Sequence, residues 1–372
     1  MPRSLLIAIT AGLLLAAPQI AQATCVGTTP LGLHPNGLTD DTGVIQGAIN
    51  TASNNGGGVV VLPSGRYLVT GTLTVRRRVV LCGGTDGPFD VGPVNPAVTT
   101  TAATLLITNT TAPFITLEDV GAAVTDLLFH YPNQVFHYPN QPPTANEPLV
   151  YPFTIYVPVG GTRIERCTVT NAYDFLDIER GRVTARDLYI GAFHIGILVD
   201  HALDHVTLSD IIHSVFWDAY TWPQAIDSWV LSNGYAFVLQ RVDGISIHNV
   251  LVFNRYIAFL LEDSWDTAQL RTMGYGSATN IDIDTCRYGI SARSTASPGY
   301  KFSNIDIGCG TPSNPAYWGV AQLPPGPTSA APRVAVNGGS IRGTWAGGLF
   351  QTFTGGGDLV AVHVFGYDEG LN

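Results

Sequence analysis

Residues Arg163 to Ser214, RIERCTVTNAYDFLDIERGRVTARDLYIGAFHIGILVDHALDHVTLSDIIHS, write one pattern twice and begin it a third time. Each unit holds a short apolar strand, one Asp, Asn or Cys, a second short strand, a loop, and a third strand that opens on a small residue. The marker residue falls at Asp126, Cys167, Asp187, Asp210, Asn249, Asn280 and Asn304, with apolar residues recurring at the first and third positions after it. A repeat of about 20 to 40 residues built from three strands describes a parallel β-helix, in which each coil buries its apolar face only by stacking on its neighbours.

The third strands align as Phe175–Glu179, Gly196–Asp200, Ala236–Gln240, Ala258–Glu262 and Gly289–Arg293. Their second and fourth columns are apolar in every row, whereas the fifth reads Glu179, Asp200, Gln240, Glu262, Arg293. Side chains alternate across a strand, so columns two and four are expected to face the core and columns one, three and five to face out. A helix would need a 3.6-residue period, which these rows lack.

Working outward, the N-terminus carries Arg3, an apolar run from Leu5 to Ala17, and Ala21-Gln22-Ala23 as a small-residue cleavage signature. Residues 1–23 therefore read as a signal peptide, too short and wrongly flanked for a membrane span. The expected product, residues 24–372, is one continuous domain, secreted or periplasmic and free of the membrane once cleaved. Of its five cysteines, Cys25 and Cys82 are placed to tie down the start, Cys286 and Cys309 to pair across successive coils, and Cys167 to stand alone. The alternative is that all five are buried and reduced. A formal net charge of -10 argues against nucleic acid as a partner. Lys301 is the only lysine, so a lysine base has one candidate, late in the chain.

Thr39-Asp40-Asp41-Thr42 supplies helix-start chemistry, and Val44, Ile45, Ala48, Ile49 and Ala52 share one helical face before Asn54-Asn55-Gly56-Gly57-Gly58 ends it. A solenoid needs its open apolar end covered, and this helix fits that role. The stretches DDTGVIQGAINTA, GGGVVVLPSGRYLV and GTLTVRRRVVLCGG, within Gly37 to Gly84, resemble the opening of the pectate-lyase superfamily, in its branch of rhamnogalacturonases, epimerases and tail-spike enzymes. The resemblance implies an all-β, single-stranded right-handed parallel β-helix with an N-terminal capping α-helix, acting on polysaccharides. It transfers no catalytic residue. The Asn-Thr-Asp, Asp-Asp, Gly-His-Gly and Arg-Ile-Lys patterns of the polygalacturonases are absent, as is the Asp-Pro-His of the alginate epimerases.

The candidate site is the outer edge of the third strands. Adjacent coils lie about 4.8 Å apart, so Glu179 and Asp200 should be neighbours and Asp200 and Glu262 about 10 Å apart. Paired carboxyls at such separations are what glycosidic cleavage requires, one protonated and one ionised. Mutual repulsion raises one of the two pKa values. Asp177, Glu179, Asp200 and Glu262 are thus the expected catalytic acids, Asp200 with Glu179 or Glu262 as acid and base and Asp177 as a supporting acid, with Arg180, His201, Arg241 and Arg293 as substrate ligands beside them. Two insertions precede third strands. One repeats His130-Tyr131-Pro132-Asn133-Gln134 as His137-Tyr138-Pro139-Asn140-Gln141, and the other brings Trp217, Tyr220, Trp222 and Trp229, aromatics suited to stacking on sugars. Small residues in the first column leave room for a sugar or are ordinary turn chemistry. The marker residues read as turn ladders, and His194 as a hydrogen-bonded loop residue.

Three functions compete on these residues. A glycoside hydrolase needs no cofactor. A polysaccharide lyase would use Arg241 or Arg293 as base, with calcium held by Asp200 and Glu262. A non-catalytic binder would hold glycan in the groove with its carboxylates as hydration only.

Overall fold

The structure is a computed structural model, describing residues 25–84, 102–134, 147–214, 224–266, 274–309, 318–324, 331–344 and 357–367. The expected signal peptide lies outside the described residues. Every strand pairing is parallel and joins a strand to the matching strand one coil away, as a parallel β-helix requires. The third strands stack in the register expected from their sequence: Asp177 pairs with Leu198, Leu198 with Val238, Val238 with Leu260, and Leu260 with Ser291. Columns two and four fill the interior, among them Leu176, Ile178, Ile197, Val199, Phe237, Leu239, Phe259 and Leu261. Phe237 and Phe259 stack with centroids 4.7 Å apart, because in-register parallel strands place identical positions directly over one another.

The corner between the first two strands of each coil is made by one residue in the left-handed region. Asp126, Asp187, Asp210, Asn249, Asn280 and Asn304 all have φ between 53° and 60°, a conformation that Asn and Asp tolerate best after Gly. The one marker misplaced from sequence is Cys167. Arg166 takes the turn instead, with φ 48°, because Glu165 and Cys167 pair with Arg186 and Leu188 and leave Arg166 opposite Asp187. Cys167 is the buried residue after the turn. Higher in the stack the markers form a ladder, in which Asn249 donates to Asp210 at 3.0 Å, Asn280 to Asn249 at 3.0 Å and Asn304 to Asn280 at 2.9 Å.

Two other expectations change. The first column of the third strands faces inward, not outward: Phe175, Ala236 and Ala258 lie in the core. A Cβ on Gly196 would strike the His213 ring, and one on Gly289 the side chain of Ile307. The chain turns a corner there, so columns one and two both point inside, and the outward position before them is held by Asp174, Ile195, Tyr235, Ile257 and Tyr288. Column one therefore leaves no room for a sugar. Second, Cys286 is a buried free thiol, although it pairs in register with Cys309. In-register neighbours hold their Cβ atoms about 4.8 Å apart on parallel vectors, beyond the usual reach of a disulfide. Cys25 and Cys82 are joined, as expected.

At the N-terminal end, helix α1 (Thr42–Asn54) lays Ile45 and Ile49 into the core, with Ala48 and Ala52 against its margin. Its start is fastened from outside the helix, since Asp40 accepts hydrogen bonds from the Thr42 N–H and hydroxyl and from the Thr70 hydroxyl. The first His-Tyr-Pro-Asn-Gln copy folds inward: Tyr131 packs edge-to-face on Tyr151, centroids 4.8 Å apart, and Gln134 clips both main-chain groups of Leu149. The second copy lies outside the described residues.

Candidate active site at the ends of the third strands

The fifth column runs unbroken along one edge of the third sheet. Main-chain bonds carry it from coil to coil, Asp200 N–H to Ile178 O at 2.9 Å, Gln240 to Val199 at 2.9 Å, Glu262 to Leu239 at 3.1 Å and Arg293 to Leu261 at 2.8 Å. These ladder bonds place Glu179, Asp200, Gln240, Glu262 and Arg293 one above another. Asp177, two residues before Glu179, faces out on the same side over Tyr156. Beyond it the outward column turns apolar, with Leu198, Val238 and Leu260 packed beside Ile195 and Ile257. The acids thus stand at the border of a dry surface.

His201 ties the lower acids together. Its Nδ1 donates to Glu179 Oε2 at 2.7 Å and lies 3.4 Å from Asp200 Oδ2, while Nε2 faces Asp266 Oδ2 at 3.6 Å. The ring is buried, and Nε2 makes no hydrogen bond. Asp200 is held by three donors: the N–H groups of His201 at 2.8 Å and Arg241 at 3.2 Å reach Oδ1, and the Ser264 hydroxyl reaches Oδ2 at 2.6 Å. A carboxylate gripped this way is a fixed charge. Glu179, Asp200 and His201 bring one ligating atom each to within 4.8 Å of one another.

The fixed charges act on Asp177. Burial first, then the negative charges of Glu179 and Asp200 and a hydrogen bond with Glu179, push its pKa up to about 8. One Asp177 oxygen is buried without a partner. Higher in the stack, burial raises the Glu262 pKa, and Arg293, whose Nε lies 3.2 Å away, opposes the shift. Gln240 separates the two acid groups, its Oε1 accepting the Trp265 N–H at 3.3 Å.

A surface groove of about 490 Å³ opens beside the lower group, lined by Arg180, Arg182, Arg241, His201 and Asp204 with Gly160, Gly161 and Gly181. The structure therefore brings Asp177, Glu179, Asp200, His201, Arg180 and Arg241 together, sets Glu262 and Arg293 two and three coils beyond Asp200, and puts Trp229 at the opposite edge of the sheet. Trp217, Tyr220 and Trp222 lie outside the described residues. The sequence reading missed Ser264 and Asp266, which follow Glu262 in the next loop and fold back over Asp200 and His201. It also missed Asp174, whose carboxylate is buried and accepts from His194 Nδ1 at 2.9 Å and the Ile195 N–H at 2.8 Å. A loop that folds back by two coils leaves no periodic signal.

Residues 26–105 match the family described as Rhamnogalacturonase A/epimerase, pectate lyase-like. No curated protein matches the sequence. Among solved structures, the DFA-IIIase of Arthrobacter chlorophenolicus A6 without its lid is similar over 90% of this chain and 87% of its own, at 12% identity and TM-score 0.54. The C387A mutant of that enzyme, in complex with DFA-III, matches over 90% and 83%, at 12% identity and TM-score 0.53. The tailspike protein of Acinetobacter baumannii phage AM24 matches over 90% of this chain and 53% of its own, at 12% identity and TM-score 0.51. By its N-terminal sequence and by the fold of its described length, the chain is similar to the pectate-lyase-like parallel β-helix proteins.

Proposed function

We propose that this chain is a secreted glycoside hydrolase that cleaves a polysaccharide at the C-terminal ends of the third strands. The observation that carries the reading is the placement of the Asp177 carboxyl, with one oxygen buried and unpartnered, beside Glu179 and Asp200, where burial and then those charges push its pKa up. Glycosidic hydrolysis needs one protonated and one ionised carboxyl, and environments that push neighbouring pKa values apart are how a fold supplies both. The family matched at the N-terminus is named for a rhamnogalacturonase, which supports carbohydrate as the substrate class. The Cys25–Cys82 disulfide supports an oxidising, exported location.

In this scheme Asp177 gives its proton to the glycosidic oxygen and recovers it through Glu179, to which it is hydrogen-bonded, while a water attacks the anomeric carbon from the far face of the sugar and releases its proton to solvent. Asp200, expected from the sequence as acid or base, is assigned to positioning: its three donors hold its charge in place to orient His201 and sustain the Asp177 proton. His201 lies between Glu179 and the partly exposed Asp266, a path by which a proton taken up at Nε2 from the solvent side is passed from Nδ1 to Glu179. Arg180 and Arg241, on the groove wall, bind sugar hydroxyls or carboxylates. Glu262 and Arg293 neutralise each other and serve the far end of the groove.

The lyase alternative requires calcium, and the donors here suit it poorly. Calcium takes six to eight oxygens in an open cage, whereas both Asp200 oxygens are already engaged by hydrogen bonds and the gap between the carboxylates holds an imidazole. The deciding experiment incubates residues 24–372 with acidic and neutral polysaccharides, following reducing ends and ultraviolet absorbance together. Hydrolysis releases reducing ends without absorbance, and Asp177→Asn abolishes them. Absorbance that disappears with chelator would establish a lyase instead, and retention of glycan without either signal a binder.

A further inference from the structure

The opposite edge of the same sheet carries a run of rings set on two adjacent positions, Tyr235 and Tyr288 in the column of Ile195 and Ile257, and Tyr173, His194 and Tyr256 one residue earlier. Tyr173, His194, Tyr235, Tyr256 and Tyr288 stand on five successive coils, and each is only partly buried. Neighbouring ring centroids are 4.8, 5.9, 5.8 and 5.5 Å apart in that order. Trp229, from helix α2 (Gln224–Asn233), closes over the lower end, 6.0 Å from Tyr173 and 6.3 Å from His194. Four coil spacings make this stripe about 19 Å long.

We infer that the stripe is a binding track for an extended glycan chain, running along the helix axis parallel to the acid row and holding sugar rings by their C–H faces. The inference rests on the proposed carbohydrate substrate and adds a site outside the acid cluster. Its chemistry is that of a sugar: tyrosine and tryptophan present an apolar body and a polar tip, and a sugar ring presents an apolar face and a hydroxyl edge. The stripe is built of rings, with Arg287 opposite Tyr256 at its upper end. The acidic group beneath it, Asp174, is buried and spends one oxygen on His194 Nδ1 and the Ile195 N–H. That pairing fixes the imidazole and leaves Nε2 as its remaining polar atom for a sugar hydroxyl. A stripe one ring wide falls far short of the roughly 800 Å² per partner that a stable protein interface buries, but it suits a linear chain.

The stripe is also continuous with the acid row. Five residues of strand, about 16 Å, separate the two edges, and the Tyr235 hydroxyl feels the charges of Glu262 and Arg293 as well as Tyr256. A branched or folded-back glycan reaches both.

The test uses affinity electrophoresis of Asp177→Asn protein in gels cast with pectin, xylan, inulin or alginate. At least one polysaccharide should retard it, and adding Tyr256→Ala or Trp229→Ala should weaken that retardation about three- to tenfold per ring. Tyr256→Phe, which keeps the face, should bind nearly as the parent does. In otherwise wild-type protein the same alanine changes should raise KM by a similar factor with kcat within about twofold. Alanine variants that melt earlier yet keep full affinity would make the stripe a packing ladder and overturn the inference, as would retardation by none of the four glycans. If the protein binds through the stripe but releases no reducing ends, the track stands and the hydrolase reading falls. Cleavage that ignores the alanine changes gives the reverse.

Discussion

Two corners of each coil carry a polar residue in register, and they have opposite characters. At the marker corner Asp210, Asn249, Asn280 and Asn304 repeat nearly the same side chain, stay exposed except for the turn itself, and satisfy one another through amides. At the end of the third strands Glu179, Asp200, Gln240, Glu262 and Arg293 change identity at every step, and the middle three are buried while Glu179 is partly buried and Arg293 exposed. Unmet groups gather there: an oxygen of Asp177, Nε2 of His201 and Nε2 of Gln240. Buried polar atoms without partners cost stability, and like carboxylates in a dry site repel. A repeated column that is satisfied serves the fold, whereas a column that breaks its own repeat and costs stability is retained for chemistry.

The largest expected effect tests that contrast directly. Asp177→Asn should lower kcat by about 10²- to 10⁴-fold, the usual worth of a general acid, and should raise the melting temperature, because it removes a carboxyl held protonated by its neighbours. The sign follows from linkage. Asp177 has its pKa raised from 3.8 to about 8 on folding, so its contribution is fully present below about pH 4 and is lost as pH rises to about 8. The wild type should therefore lose stability across that window more steeply than Asp177→Asn, measured by urea titration at several pH values. A variant that melts earlier than wild type throughout would place Asp177 with the structural acids.

The same proton sets the alkaline limb of the reaction. Above about pH 8 Asp177 ionises, and kcat/KM should fall about tenfold for each further pH unit. Asp200→Asn removes one of the charges that sustain the shift and should move that limb toward lower pH. A limb that stays in place would mean the acid is another group.

The fold was legible to the register of single residues because stacking repeats every constraint: five third strands with apolar second and fourth columns admit one alignment. What repeated only in part was misread. Cys167 looked like a marker because it follows Arg166 where an Asp would stand, and only the pairing of its neighbours shows that arginine can occupy the turn. Gly196 looked like a turn glycine, yet it makes room for His213, which accepts Nε and Nη2 of the fully buried Arg255 at 3.0 and 2.8 Å. Their separation of 42 residues has no counterpart in the repeat. The acids of the site were legible as a column, but Ser264 and Asp266 were not, since loops obey no period. The change in Asp177 from supporting acid to proposed proton donor needed its burial, which sequence does not display.

At the marker corner the effects belong to stability alone. Asn249→Ala deletes the amide that donates to Asp210 and accepts from Asn280, and it puts a Cβ at φ 53° without the local bonding that lets Asn stay there. A loss of about 1–2 kcal/mol is expected from these two causes. Asn249→Gly keeps the dihedral cheap and should lose less. Both variants should cleave at the wild-type rate per folded molecule; a fall in kcat with folding intact would erase the distinction between the two corners.

The smallest effect probes where the ladder itself is imperfect. Asp187 and Asp210 stand on adjacent coils with no amide between them, and the charge of Asp210, after burial, raises the Asp187 pKa. Asp210→Asn extends the amide ladder by one step and removes that repulsion while keeping a residue suited to φ 56°. Because Asp210 is exposed, solvent screens most of the gain, and a rise in melting temperature of about 1 °C is expected at low salt, shrinking as salt is added. A larger, salt-independent gain would mean that this column too carries strain held for a purpose, and the flanking surface formed by Tyr189, Leu251 and Asn280 would then merit the same scrutiny as the acid row.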